Sequence, residues 1–106
     1  MNAIAVERLL KGEVSIGDTV TIEGWVRSKR DSKAGISFIA VHDGSGFDPI
    51  QAVVPEELPN YQEEVLLITT GCAVCIVGQL VESQGKGQQF EIHASEVTVI
   101  GWVDEP

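Results

Sequence analysis

Residues 24–54 read GWVRSKRDSKAGISFIAVHDGSGFDPIQAVV, and this stretch decides the fold. From Ile36 to His42 apolar residues alternate. Ile39 and Val41 fall on one side, Phe38, Ala40 and His42 on the other, the period of a half-buried strand. Asp43-Gly44-Ser45-Gly46 is a chain-reversal signal. From Ile50 to Val54 the alternation resumes, with Ile50, Ala52 and Val54 inward and Gln51 and Val53 on the side of Phe38. Pro55 ends the ladder because it has no amide hydrogen to donate. A large aromatic therefore stands on the outward side. The opposite register would bury Phe38 only by exposing Ile39 and Val41.

Upstream, Val6–Lys11 reads as a short helix stopped by Gly12, a residue free to adopt the left-handed conformation. Thr19–Ser28 is a strand with Val20, Ile22 and Val26 inward, and Gly24 within it marks a bend or bulge. Arg27–Gly35 reads as a basic loop. Downstream, Leu58–Thr70 has the pattern of a helix. Tyr61, Val65 and Ile68 recur at i, i+4 and i+7, and Asn60 with Glu63 resembles a capping box. Gly71 closes it. Cys72–Val81 is a fourth strand, Ser83–Gly87 a loop, and Gln88–Ile100 a fifth strand with a break near Ala94-Ser95.

The chain has 106 residues, 43% hydrophobic and 22% charged, which suits one folded domain and excludes a disordered one. No apolar run is long enough to span a membrane, and the first residues lack a basic, then apolar, leader. The expected compartment is the cytoplasm. A net charge of −9 disfavours nucleic acid as a partner, so the distribution matters more than the sum. Four of the seven basic residues, Arg27, Lys29, Arg30 and Lys33, fall within seven positions. Cys72 and Cys75 form a C-x-x-C. In a strand their Cα atoms stand roughly 10 Å apart with side chains on opposite faces, too far for a disulfide. The only histidines are His42 and His93, and no second cysteine pair completes a tetrahedral metal site. They read as small core residues.

The order helix, three strands, helix, two strands points to an all-β fold: a five-stranded Greek-key OB-fold barrel. A helix lies between strands three and four, and a short helix precedes the barrel. Residues 1–18 form the lead-in and 19–101 the barrel. Such barrels bind ligands on strands two and three and with loops 1–2 and 4–5. The basic cluster lies in loop 1–2 and Lys86 in loop 4–5.

The chemistry follows. Phe38 is a stacking platform for an unpaired base. Gln51 can donate to and accept from a base edge. Glu91, outward on strand five, suits base amino or imino hydrogens better than phosphate. Arg30 can meet phosphate or base. Arg27, Lys29, Lys33 and Lys86 are phosphate-contact candidates. No catalytic residue and no metal ligand is found: Gly85-Lys86-Gly87 is too short for a phosphate-binding loop and lies between strands. The competing readings are a sequence-tolerant single-strand binder and a protein-interaction barrel without affinity for RNA.

At Gly24-Trp25-Val26, Arg30, Phe38, Gln51 and Glu91 the chain resembles the N-terminal anticodon-binding domain of the class II aminoacyl-tRNA synthetases for asparagine, aspartate and lysine. DSKAGISFIAV (31–41), GFDPIQAVV (46–54), TTGCAV (69–74) and GQQFEIHASEVTVIGWVDEP (87–106) are similar to the bacterial asparagine enzymes. The resemblance implies that Phe38 stacks on the central anticodon uridine, with Arg30, Gln51 and Glu91 around the anticodon bases. It implies asparagine tRNA as partner and no cofactor in this domain. ATP and magnesium belong to a catalytic domain absent from the chain, and 102–106 begins the linker to it. A homodimer is implied for the full enzyme, and no membrane association.

Overall fold

A computed structural model describes residues 3–83 and 90–103. The elements are α1 (Val6–Leu10), β1 (Thr19–Ser32), β2 (Ile36–His42), β3 (Ile50–Pro55), a 3-10 turn (Val65–Leu67), β4 (Ala73–Glu82) and β5 (Phe90–Gly101). The strands close a barrel in the order β1-β2-β3-β5-β4. All pairs are antiparallel except β3 with β5. Closure removes exposed strand edges and encloses one core. That core contains Ile22, Val26, Ile39, Val41, Ile50, Ala52, Val54, Val74, Ile76, Leu80 and Ile92.

The alternations in β2 and β3 stand as read. Ile39, Val41, Ile50, Ala52 and Val54 are fully buried, while Phe38, Ala40, Gln51 and Val53 are half-buried on the outer face. The expected break in the fifth strand is a bulge. Val77 pairs with Glu96 and Gly78 with Ala94, so Ser95 is the extra residue. Its hydroxyl donates to the Val77 carbonyl at 3.2 Å.

Two expectations are corrected. The basic segment is not a loop. β1 runs on to Ser32, and its ladder with β2 is intact down to Ser32 opposite Ile36. Only residues 33–35 turn the chain. The stretch looked like a loop because the outer end of this hairpin is held by backbone pairing rather than by an apolar face. The helix expected over Leu58–Thr70 is also reduced, to irregular turns and the single 3-10 turn Val65–Leu67. Its backbone bonds mix three spans: Tyr61 N to Leu58 O, Glu64 N to Asn60 O, and Val65 N to Asn60 O. Asn60 does not act as a cap. Its amide donates to the Val97 carbonyl at 2.8 Å and to Glu64 at 2.6 Å, which ties the segment to β5. Tyr61, Val65 and Ile68 still reach the core, so the apolar spacing located the buried residues without requiring a regular helix.

α1 closes one end of the barrel through Val6 and Leu9. Its first amides are satisfied from the β2–β3 turn. Val6 N donates to Asp43 Oδ2 at 2.9 Å and Glu7 N to Ser45 Oγ at 3.0 Å. The same Asp43 accepts from the Ser45 amide and hydroxyl. Burial pushes its carboxyl up, but these bonds outweigh burial and hold it below the usual aspartate value.

Candidate nucleic-acid interface

One residue, Arg27, sets the outer face of β1. Val26 pairs with Val41 and Ser28 with Ala40, so Arg27 is the extra residue of a bulge. Val26 points into the core, and simple alternation from it would send Ser28 and Arg30 inward. The bulge inverts the alternation. Arg30 comes to the outer face opposite Phe38, and Lys29 shares the inner side with Ile39.

Two rows of partners then cross four strands. The first is Arg30–Phe38–Val53–His93, and the second is Ser28–Ala40–Gln51–Glu91. Partners in register project to the same side of a sheet, so these residues form one surface. In the first row the Arg30 guanidinium carbon lies 4.5 Å from the centroid of the Phe38 ring, a cation–π contact. In the second, Gln51 Nε2 donates to Glu91 Oε2 at 3.2 Å. Ser83 Oγ donates to the same oxygen at 3.4 Å, and His93 Nε2 lies 3.6 Å from the other. Glu91 is only 8% exposed, so it is a held carboxylate rather than a solvated strand residue.

Arg30, Phe38, Gln51 and Glu91 are therefore brought together. The phosphate-contact candidates are not. Arg27 is exposed and donates to the Phe47 carbonyl at 3.2 Å. Lys33 is exposed in the β1–β2 turn. Lys29 faces away. Its side chain is 8% exposed, and Nζ lies 2.9 Å from Asp31 and donates to the Leu66 carbonyl at 3.4 Å. Asp31 also accepts from Ser37 at 2.6 Å, and Ser37 bonds the Tyr61 hydroxyl at 2.7 Å. Burial pushes the Asp31 carboxyl up. The bonds from Ser37 and Lys29 and the Lys29 charge outweigh it and hold the group below its usual value. Lys86 lies outside the described residues.

His93 was not singled out by its residue type. The signal available was its spacing: it lies two positions after Glu91, on the same face. The two cysteines face opposite ways. Cys72 is buried, and Cys75 lies half-buried opposite Glu23. Burial and the charges of Glu23 and Glu96 push the Cys75 thiol up, which disfavours thiolate chemistry there. Among the described residues no cluster could hold a metal ion, and no helix is long and apolar enough to cross a membrane.

Residues 20–100 match the family of OB-fold nucleic acid binding domains named for the tRNA anticodon module. The chain belongs to this family. Over all 106 residues it is 58% identical to an Escherichia coli asparagine–tRNA ligase, of which it spans 23%. The chain thus covers about a quarter of the length of the curated relatives it matches. Among solved structures it superimposes on asparaginyl-tRNA synthetase from Pyrococcus horikoshii with a TM-score of 0.82. There the identity is 18%, covering 96% of this chain and 24% of that one. The enzyme from Entamoeba histolytica gives 0.73 at 28% identity, covering 88% and 23%. The outer face of β1, β2, β3 and β5 in this anticodon-type OB domain is the surface that carries the paired rows.

Proposed function

We propose that this domain reads the anticodon of asparagine tRNA for a longer asparagine–tRNA ligase. The observation that carries the proposal is one outward surface combining an aromatic platform, Phe38 beside Arg30, with a fixed polar edge, Gln51 on Glu91. An unpaired base stacks on Phe38, whose ring is tolerant of base identity. Gln51 keeps its amide oxygen and one amide hydrogen for a base edge, because its other hydrogen is used on Glu91. Glu91 excludes phosphate from that point by charge and accepts from base nitrogens. Arg30, Arg27 and Lys33 meet the backbone. Lys29 holds the hairpin to the 58–68 segment. ATP, magnesium and the joining of asparagine to tRNA belong to the remaining length of the ligase, which also supplies the homodimer contact.

The test is titration of the chain with an anticodon stem-loop of asparagine tRNA, followed by amide chemical shifts. The expected result is that Phe38, Gln51 and Glu91 shift together. They should respond less to a stem-loop whose central anticodon uridine is replaced. Equal affinity for both loops would instead identify a sequence-tolerant single-strand binder. No binding even at low salt, where phosphate attraction is strongest, would leave a protein-interaction barrel.

A further inference from the structure

We propose that His93 is a second stacking platform on this face, taking the nucleotide next to the one on Phe38. The inference deepens the RNA-reading proposal and rests on it. Phe38, Val53 and His93 are consecutive partners in one row across β2, β3 and β5. Two strand spacings, about 9.5 Å, separate the backbones that carry the two rings. Between them Val53 is a half-buried apolar floor without a hydrogen-bonding side chain. A single strand running from β2 towards β5 meets an aromatic ring, an apolar step and a second ring.

The second ring is held and also open. The His93 side chain is 56% exposed. Its Nε2 lies 3.6 Å from Glu91 Oε1, which places one edge of the ring beside that carboxylate. Its backbone lies tight against β4: a Cβ on Gly78 would land on the His93 carbonyl. Histidine rings serve as stacking surfaces for unpaired bases, as phenylalanine rings do. A role confined to the Glu91 contact needs only a hydrogen-bond donor and leaves the exposed ring without use.

That contrast gives the experiment. His93→Phe keeps a ring and loses the donor, whereas His93→Gln keeps a donor and loses the ring. Each variant of the 106-residue chain is titrated with the asparagine anticodon stem-loop carrying 2-aminopurine at either neighbour of the central anticodon uridine. Phe38→Ala is run beside them. With His93 as a platform, His93→Phe binds within about threefold of the parent and quenches one of the two probes as the parent does. His93→Gln binds about fivefold or more weakly and leaves that probe bright. The reverse order, with His93→Gln like the parent and His93→Phe weak, makes His93 a positioning residue for Glu91 and overturns the proposal. Loss of affinity in Phe38→Ala with both His93 variants unchanged overturns it alone. No effect of Phe38→Ala overturns it together with the RNA-reading proposal.

Discussion

Arg30 lies over the Phe38 ring, its guanidinium carbon 4.5 Å from the centroid. The two are direct partners on β1 and β2. One face of the ring is thus already covered by a cation in the free domain. On the proposed reading, an incoming base takes the open face or displaces the guanidinium towards phosphate. Either way the two residues act as a unit. Phe38→Ala is expected to weaken stem-loop binding by about 1–3 kcal/mol. Arg30→Ala should cost less, and the double variant less than the sum of the two. A double-mutant cycle by calorimetry checks this, and strictly additive losses would separate the two residues.

Base reading and phosphate attraction are separable by salt. Gln51→Ala removes a base-edge contact, so affinity should fall by about 1–2 kcal/mol with the salt dependence unchanged. Lys33→Ala should leave base preference alone and make the log–log salt slope shallower by about 0.7, the value for one phosphate contact on a single strand. Lys29→Ala should leave the slope unchanged and lower the unfolding free energy, since its ammonium is buried against Asp31 and the Leu66 carbonyl. A slope change in Lys29→Ala would return Lys29 to the binding face.

The barrel, and Phe38 and Gln51 on its outer face, were legible because β2 and β3 alternate without interruption. Their outer residues can be named from the inner ones. β1 was legible only to Val26. There Arg27 enters as a bulge, and a bulge leaves no hydrophobic signal, because the inverted positions beyond it are all polar. The sequence could therefore place Arg30 only within a basic cluster, open to phosphate or base, and could not show that Lys29 shares the inner side with Ile39. The segment 58–68 failed for a different reason. Apolar residues at i, i+4 and i+7 are compatible with any winding that brings them to one side. The competition was settled by Asn60, whose amide bonds β5.

Acid should weaken the barrel through Asp31 and Asp43. Both carboxyls are held below their ordinary value of 3.8 in the folded chain, by hydrogen bonds that outweigh burial. A lowered folded value means that the stabilisation is fully present above the unfolded value. It is lost as pH falls below about 4 and through the folded value. Asp43→Ala removes the bonds to the α1 amide and to Ser45, at about 1–2 kcal/mol near neutrality. Its stability should also fall less steeply between pH 5 and 2, a range of about three units around the carboxylate values. Urea titrations across that range check both, and an unchanged acid slope would remove Asp43 from the account.

Gly78 is the position where the smallest change should do most harm. A methyl group there meets the His93 carbonyl, Ile92 Cγ2 at 2.7 Å and Ala94 Cα at 2.8 Å. Two of those three are backbone, so no side-chain rotation relieves the contact. The strands β4 and β5 must part at the Ser95 bulge. Gly78→Ala is expected to destabilise the domain by about 1–3 kcal/mol, the range for overpacking a close-packed interior. The displacement should reach the outer face, because Glu91 and His93 flank Ile92 on the same strand. Stem-loop affinity should therefore fall even under conditions where the variant is fully folded. Gly44 offers the comparison: a Cβ there meets nothing within 4 Å, and only its positive φ of 82° opposes substitution. Gly44→Ala should lose stability through the turn alone and keep its RNA affinity. Equal effects of the two substitutions on binding would show that the face does not depend on how closely β4 approaches β5.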